Sequence, residues 1–183
     1  MKKLMFFLCI LLGLQTANAQ IKWQTWGNPN QINAVCEDGN YIWVGTSDGL
    51  VKRHKNGTYV ALYNRDNSGI LNNNITSLTL DQKGSLWIGI MGAGISKFDG
   101  TNWTNFTTEN SGLSDNQVIS IVIDPAGIKW IASYNKGLIK YNDTTWTTYD
   151  TSITKLPFTG IYTIAIDQLG NKWLTSQYIG LIS

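Results

Sequence analysis

Ile75-Thr-Ser-Leu-Thr-Leu-Asp-Gln-Lys-Gly-Ser-Leu-Trp-Ile-Gly-Ile-Met-Gly-Ala-Gly-Ile-Ser-Lys-Phe-Asp-Gly-Thr-Asn-Trp-Thr-Asn-Phe106 decides the fold. Residues 75–80 alternate as a strand does, and Asp81-Gln-Lys-Gly84 suits a type I turn, with Asp first and Gly fourth. Residues 85–90 form a second strand, Met91-Gly-Ala-Gly94 a second turn, and Ile95–Phe98 a third strand. Asp99-Gly100 then reverses the chain into a fourth. Four short strands joined by tight turns make one antiparallel meander.

The same unit occurs along the whole chain. Trp43, Trp87, Trp130 and Trp173 recur at spacings of 44, 43 and 43, and Asp38, Asp81, Asp124 and Asp167 at 43 throughout. Two apolar sets keep step: Ile32, Ile75, Val118, Ile161 and Val35, Leu78, Ile121, Ile164. A period of about 40–45 residues rich in strand formers marks propeller blades. The predicted fold is therefore all-β: four-stranded antiparallel blades, at 31–62, 74–106 and 117–149, with a truncated fourth at 160–183.

The shared positions read as scaffold. Large flat indoles fill the wedge between neighbouring blades, each ring burying roughly 150–250 Å². Gly45, Gly89 and Ala132, two residues beyond each Trp, suit a close approach of the next sheet. The aspartates order their turns by accepting from backbone amides; as a ring they are a weaker candidate for a cation site. Cys36, aligned with Thr79, Val122 and Ala165, reads as a small strand residue.

The ends carry different information. Lys2-Lys3, the apolar run Leu4–Leu14 and Ala17-Asn18-Ala19 predict a signal peptide over 1–19, too short to be a membrane span. The protein is therefore expected in the periplasm, at the cell surface or secreted. Without Lys2 and Lys3, twelve of the 14 basic residues face 12 acidic ones, leaving no basic field for nucleic acid or anionic lipid. Cys36 is then the only cysteine, so no disulfide framework is expected despite export. Trp23 and Trp26 repeat the aromatic spacing of a fourth strand, so 21–26 is expected as an orphan outer strand, available to complete the last blade. Residues 20–183 either close as a small four-bladed ring or form part of a longer propeller; the truncated fourth repeat favours the longer one.

The pattern Leu78-x-Leu-Asp-x-x-Gly-x-Leu-Trp-Ile-Gly89, with Gly94-Ile-Ser-Lys-Phe-Asp-Gly100 and Asn110-Ser-Gly-Leu113, resembles the two-component regulator propeller repeat. Trp43-Val-Gly-Thr-x-x-Gly-Leu50 matches it closely, Lys129-Trp-Ile-Ala132 and Lys172-Trp-Leu-Thr175 more loosely. The resemblance implies seven-bladed closed units that serve as oligosaccharide-detecting extracytoplasmic sensors of hybrid histidine kinases, or as surface proteins. It carries scaffold positions only, so no functional residue is transferred by it. Streptogramin lyases are also similar, through an Asp-x-x-Gly-x-x-Trp type of repeat.

Catalytic residues, a cofactor and a metal site are not expected. His54 stands alone in a Lys-Arg-His-Lys run, and a lyase would have only His54, Glu37 and Glu109 to draw on. No metal-ligand spacing and no nucleophile elbow is present. Gly89-x-x-Gly92-x-Gly94 leads into a strand, not the helix N-terminus that a phosphate needs.

Residues that break the repeat are the better candidates for binding. Turns between second and third strands, and loops between blades, share one face of a propeller. They present Asp48, Met91, Tyr134, Asn135, Lys136, Gln177 and Tyr178, and Arg65, Glu109 and Asp115. Tyr with amides suits an uncharged polar ligand, through stacking and directed hydrogen bonds. The predicted function is recognition, of an oligosaccharide or of another extracytoplasmic protein. A structural or adhesive surface role and a lyase are the alternatives.

Overall fold

The structure, a computed structural model, describes residues 31–152, 156–176 and 180–182. The expected signal peptide, the strand at 21–26, and Gln177 and Tyr178 lie outside the described residues.

Fifteen strands and no helix are found among the described residues. The first sheet holds β1 (Ile32–Asp38), β2 (Tyr41–Thr46), β3 (Gly49–His54) and β4 (Tyr59–Tyr63). The second holds β5 (Ile75–Leu80), β6 (Leu86–Ile90), β7 (Gly94–Phe98) and β8 (Trp103–Phe106). The third holds β9 (Val118–Ile123), β10 (Lys129–Ser133), β11 (Gly137–Tyr141) and β12 (Trp146–Tyr149). The last has three strands: β13 (Thr163–Ile166), β14 (Lys172–Ser176) and β15 (Gly180–Ile182). Each sheet is an antiparallel meander in chain order, which is the blade of a propeller.

Three apolar seams hold the blades together, and the same four repeat positions recur in each. Trp43 and Leu50 of the first blade cluster with Ile75 and Leu78 of the second. Trp87 and Ile95 cluster with Val118 and Ile121, and Trp130 and Leu138 with Ile161 and Ile164. One blade thus supplies a ring and a branched side chain from its second and third strands, and the next supplies two from its first strand or, for Ile161, from just before it. Gly45 faces Ile75 so closely that a Cβ there would lie 2.5 Å from the Ile75 methyl. Ser77 and Thr76 reinforce the second seam: Ile121 N donates to Ser77 Oγ at 2.9 Å, and Thr76 Oγ1 to Val118 O at 2.8 Å.

Lysines flank the rings. Lys97 lies 5.3 Å from the Trp87 centroid, and Lys129 of the next blade 4.9 Å from the same ring. Trp130 is held likewise by Lys140 and Lys172, at 5.7 and 4.5 Å. Such contacts add to area burial where the cation is desolvated.

The aspartates do more than order turns. In each blade the tryptophan indole N–H donates to the Asp Oδ2: Trp43 to Asp38, Trp130 to Asp124 and Trp173 to Asp167 at 3.0 Å, Trp87 to Asp81 at 2.9 Å. The other oxygen takes the backbone, as in Asp81 Oδ1 with Lys83 N and Ser85 N, both at 2.9 Å. One carboxylate therefore ties the turn to the ring that fills the seam.

Candidate functional site

Turns β2–β3, β6–β7 and β10–β11 and the loops between blades lie at one end of the sheets. Backbone bonds join them there, Met91 N to Asn74 O at 3.1 Å and Tyr134 N to Gln117 O at 3.0 Å.

The β10–β11 turn is tied down by a buried carboxylate. Asp115 is buried beneath it and accepts Ser133 Oγ at 2.6 Å and Asn135 N at 3.0 Å through Oδ2. Its Oδ1 takes Gln117 N at 3.0 Å. Lys136 N donates to Ser133 Oγ at 2.9 Å, and Gly137 N to Thr159 O at 2.9 Å. Asp115 therefore clamps the turn rather than presenting its carboxylate to a ligand, as its loop position had suggested.

This clamp holds Tyr134 outward, 46 % exposed. Its ring meets that of Tyr162, 37 % exposed, edge to face at 6.1 Å between centroids. The two rings stand at a cleft of about 390 Å³ between the third and fourth blades, lined also by Asn135, Thr151, Phe158 and Thr159. Every lining side chain is aromatic, amide or hydroxyl; none carries a charge. A second cleft, of about 540 Å³, lies where the first strands converge, with Asn33, Thr76, Ser120 and Thr163 on its walls. Tyr162 borders both clefts.

Of the candidate residues, Tyr134 and Asn135 come together. Lys136 is exposed on the same turn but does not line the cleft. Asp48 sits in the β2–β3 turn, its amide on Thr46 Oγ1 at 3.0 Å, and Arg65 in the β4–β5 loop, its amide on Asn73 Oδ1 at 2.8 Å. Neither lines this cleft. Tyr162 had not been singled out. The signal was available: Asn33, Thr76, Ile119 and Tyr162 occupy one repeat position, and only the last is aromatic.

The ionisable groups are occupied elsewhere. Burial alone would raise the Asp81 and Asp124 carboxyls, but indole and amide donors outweigh it and hold both below the ordinary range. Asp167 is lowered to about 2, first by the Asn171 amide and then by the Trp173 indole. Burial pushes the Cys36 thiol up, away from the reactive thiolate. Among the described residues no three of His, Cys, Asp and Glu gather as metal ligands. His54 packs on Tyr41 at 4.5 Å between ring centroids, and Glu37 pairs with Lys55. Both belong to the opposite end of the first blade from the Tyr134 turn, whereas Glu109 follows β8 at the cleft end.

Residues 27–48 and 69–92 match the family model described as two component regulator propeller. The chain thus carries repeats of this type. The fold is shared with the chain described as the extracellular domain of the hybrid two component system BT3049 from B. thetaiotaomicron, at 24 % identity and TM-score 0.76. That alignment covers 87 % of this chain and 23 % of the other. PorZ, described as a surface component of the type-IX secretion system of Porphyromonas gingivalis, aligns at 23 % identity and TM-score 0.62, over 82 % of this chain and 24 % of its own. Virginiamycin B lyase from Staphylococcus aureus aligns at 14 % identity and TM-score 0.61, over 79 % of this chain and 48 % of its own. The chain spans about a quarter of the first two and about half of the third. No curated protein matches.

Proposed function

We propose that this chain is an exported, non-catalytic propeller module that binds an uncharged oligosaccharide at the Tyr134–Tyr162 cleft. The observation that carries this reading is the pair of half-exposed tyrosines over a wall of amide and hydroxyl groups with no charge among them. Aromatic faces stack on the apolar faces of sugar rings, while Asn135, Thr151 and Thr159 suit hydroxyls that both donate and accept. A charged ligand would find no counter-ion there. Export is supported by the basic start, apolar run and small-residue site at 2–19, and by the likeness to a domain described as extracellular.

Recognition rather than turnover is supported by the separation of the candidate lyase groups, with His54 and Glu37 at the end of the first blade remote from the cleft. The likeness to a lyase extends to the fold alone. Incubation with a streptogramin B antibiotic and magnesium should therefore leave the antibiotic's ring intact.

Calorimetric titration with neutral oligosaccharides, chosen from a glycan array, tests the reading. Tyr134→Ala and Tyr162→Ala each remove one ring from a solvent-facing position. Each should weaken binding at least tenfold while leaving the melting transition within a few degrees of the parent. Retained affinity in the double variant would remove the cleft from the site.

A further inference from the structure

The cleft of about 540 Å³ borders the one that holds the tyrosine pair. Its walls come from the first strands of successive blades or the residues just before them: Asn74 ahead of β5, Ile119 and Ser120 on β9, Thr163 on β13. First strands pack on one another here, and they surround the central channel of a propeller whatever its number of blades. None of the lining residues carries a charge, as in the neighbouring cleft. Met91 and Ile119 give it apolar ground. Among the described residues, neither the Asn74 carboxamide nor the Ser120 hydroxyl has a hydrogen-bond partner in the protein. Each cleft alone falls within the roughly 300–1,000 Å³ of small-molecule sites. Tyr162 stands on the boundary and lines both.

We infer that the two clefts are subsites for one neutral saccharide chain, which crosses the Tyr162 ring with one end beside Tyr134 and the other beside Asn74 and Ser120. This assignment, which rests on the oligosaccharide reading of the first cleft, makes chain length the property selected. A short saccharide is held by the tyrosine pair alone. A longer one reaches donors and acceptors that have no partner within the protein, and satisfies them with its hydroxyls. Affinity therefore grows with length until the second cleft is filled.

Calorimetric titration of the full-length protein with malto-, cello-, xylo- and manno-oligosaccharides of two to six units, all uncharged, tests this. In a series that binds, affinity should rise beyond the disaccharide. Asn74→Ala and Ser120→Ala remove no side-chain hydrogen bond of the fold, so both should melt as the parent does. Each should weaken the hexasaccharide by about threefold to tenfold, the worth of one hydrogen bond, and leave the disaccharide unchanged. Tyr134→Ala should weaken both lengths. Affinity independent of length, or a hexasaccharide held by both variants as tightly as by the parent, would overturn the inference and leave the reading of the first cleft standing. Two disaccharides bound per protein with no gain on lengthening would overturn it as well, because the clefts would then be separate sites. Failure of all four series at every length would remove the reading of the first cleft, and the inference with it.

Discussion

The indole N–H of Trp87 donates to Asp81 Oδ2 at 2.9 Å while the ring lies buried in the seam between the second and third blades. Ring burial and hydrogen bond are separable. Trp87→Phe keeps most of the apolar area and loses the donor, for which the expected cost is about 1–2 kcal/mol. Trp87→Ala also opens a cavity beside Phe106 and Ile121, for which the expected cost is about 3–5 kcal/mol. Urea denaturation of both variants measures the difference. Equal losses would mean that the bond to the turn, and not the filling of the seam, makes this residue matter.

Acid should loosen the turns in a defined window. Asp167 has a folded value of about 2 against an ordinary 3.8, through Asn171, Trp173 and two backbone amides. A depressed folded value means that the ionised carboxylate stabilises the native state. Its contribution is complete above about pH 4 and is lost as pH falls toward 2. Asp81 and Asp124 are shifted in the same direction, so their contributions have the same sign. Carboxyl carbon shifts followed by NMR should place the Asp167 midpoint near 2. Asp167→Asn should flatten the fall in stability between pH 4 and 2, and an unchanged slope would exclude this carboxylate as a source.

Most of the fold was legible because a repeat states each rule several times. The alternation of Ile75–Leu80 gives a strand, Asp81 and Gly84 give its turn, and the return of Trp every 43 or 44 residues gives the seam. The indole–carboxylate bond was not read. Asp81 already had a sufficient local reason in its turn, and its meeting with Trp87 depends on the register that sets Thr79 opposite Trp87. Lys129 was missed for a similar reason, since its partners Trp87 and Asp143 come from different blades or distant turns. At the cleft, Tyr134 stood out as a turn residue, but Tyr162 lies 28 positions away. Only the packing of the third blade on the fourth brings the rings together.

Two glycines with the same backbone sign should respond differently to one substitution. Gly84 has φ +79° and nothing within 4 Å of a built Cβ, so Gly84→Ala carries backbone strain alone, about 1 kcal/mol. Gly94 has φ +87°, and a Cβ there would run into the carbonyl oxygen of Phe106 on β8, inside any real contact distance. Gly94→Ala must also displace the strand that carries Phe106, which stacks on Trp87 at 5.5 Å. Its expected cost is about 3 kcal/mol or more, in the range of disruptive core changes. Thermal melts of the pair decide it: comparable losses would show that conformation, not the approach of β8, dominates at Gly94.

Lys129 is a buried cation in an apolar seam, and its stability rests on what faces it. Its ammonium pairs with Asp143 and lies 4.9 Å from the Trp87 ring and 5.9 Å from that of Tyr141. Asp143→Asn keeps a side chain suited to the backbone at φ +72° but removes the negative charge. The ammonium is then left with two aromatic faces and no counter-ion, for which the expected loss is about 1–3 kcal/mol. Lys129→Leu removes the desolvated charge and its need for a partner together. The first seam already contains this arrangement, with Leu86 at the equivalent position beside Trp43. The leucine variant should therefore lie within about 1 kcal/mol of the parent, and Asp143→Asn should cost little once Lys129 is leucine. A double-mutant cycle by urea denaturation measures that coupling. If Asp143→Asn cost as much in the leucine background as in the parent, Asp143 would act through its turn, and the pairing with Lys129 would contribute nothing to the seam.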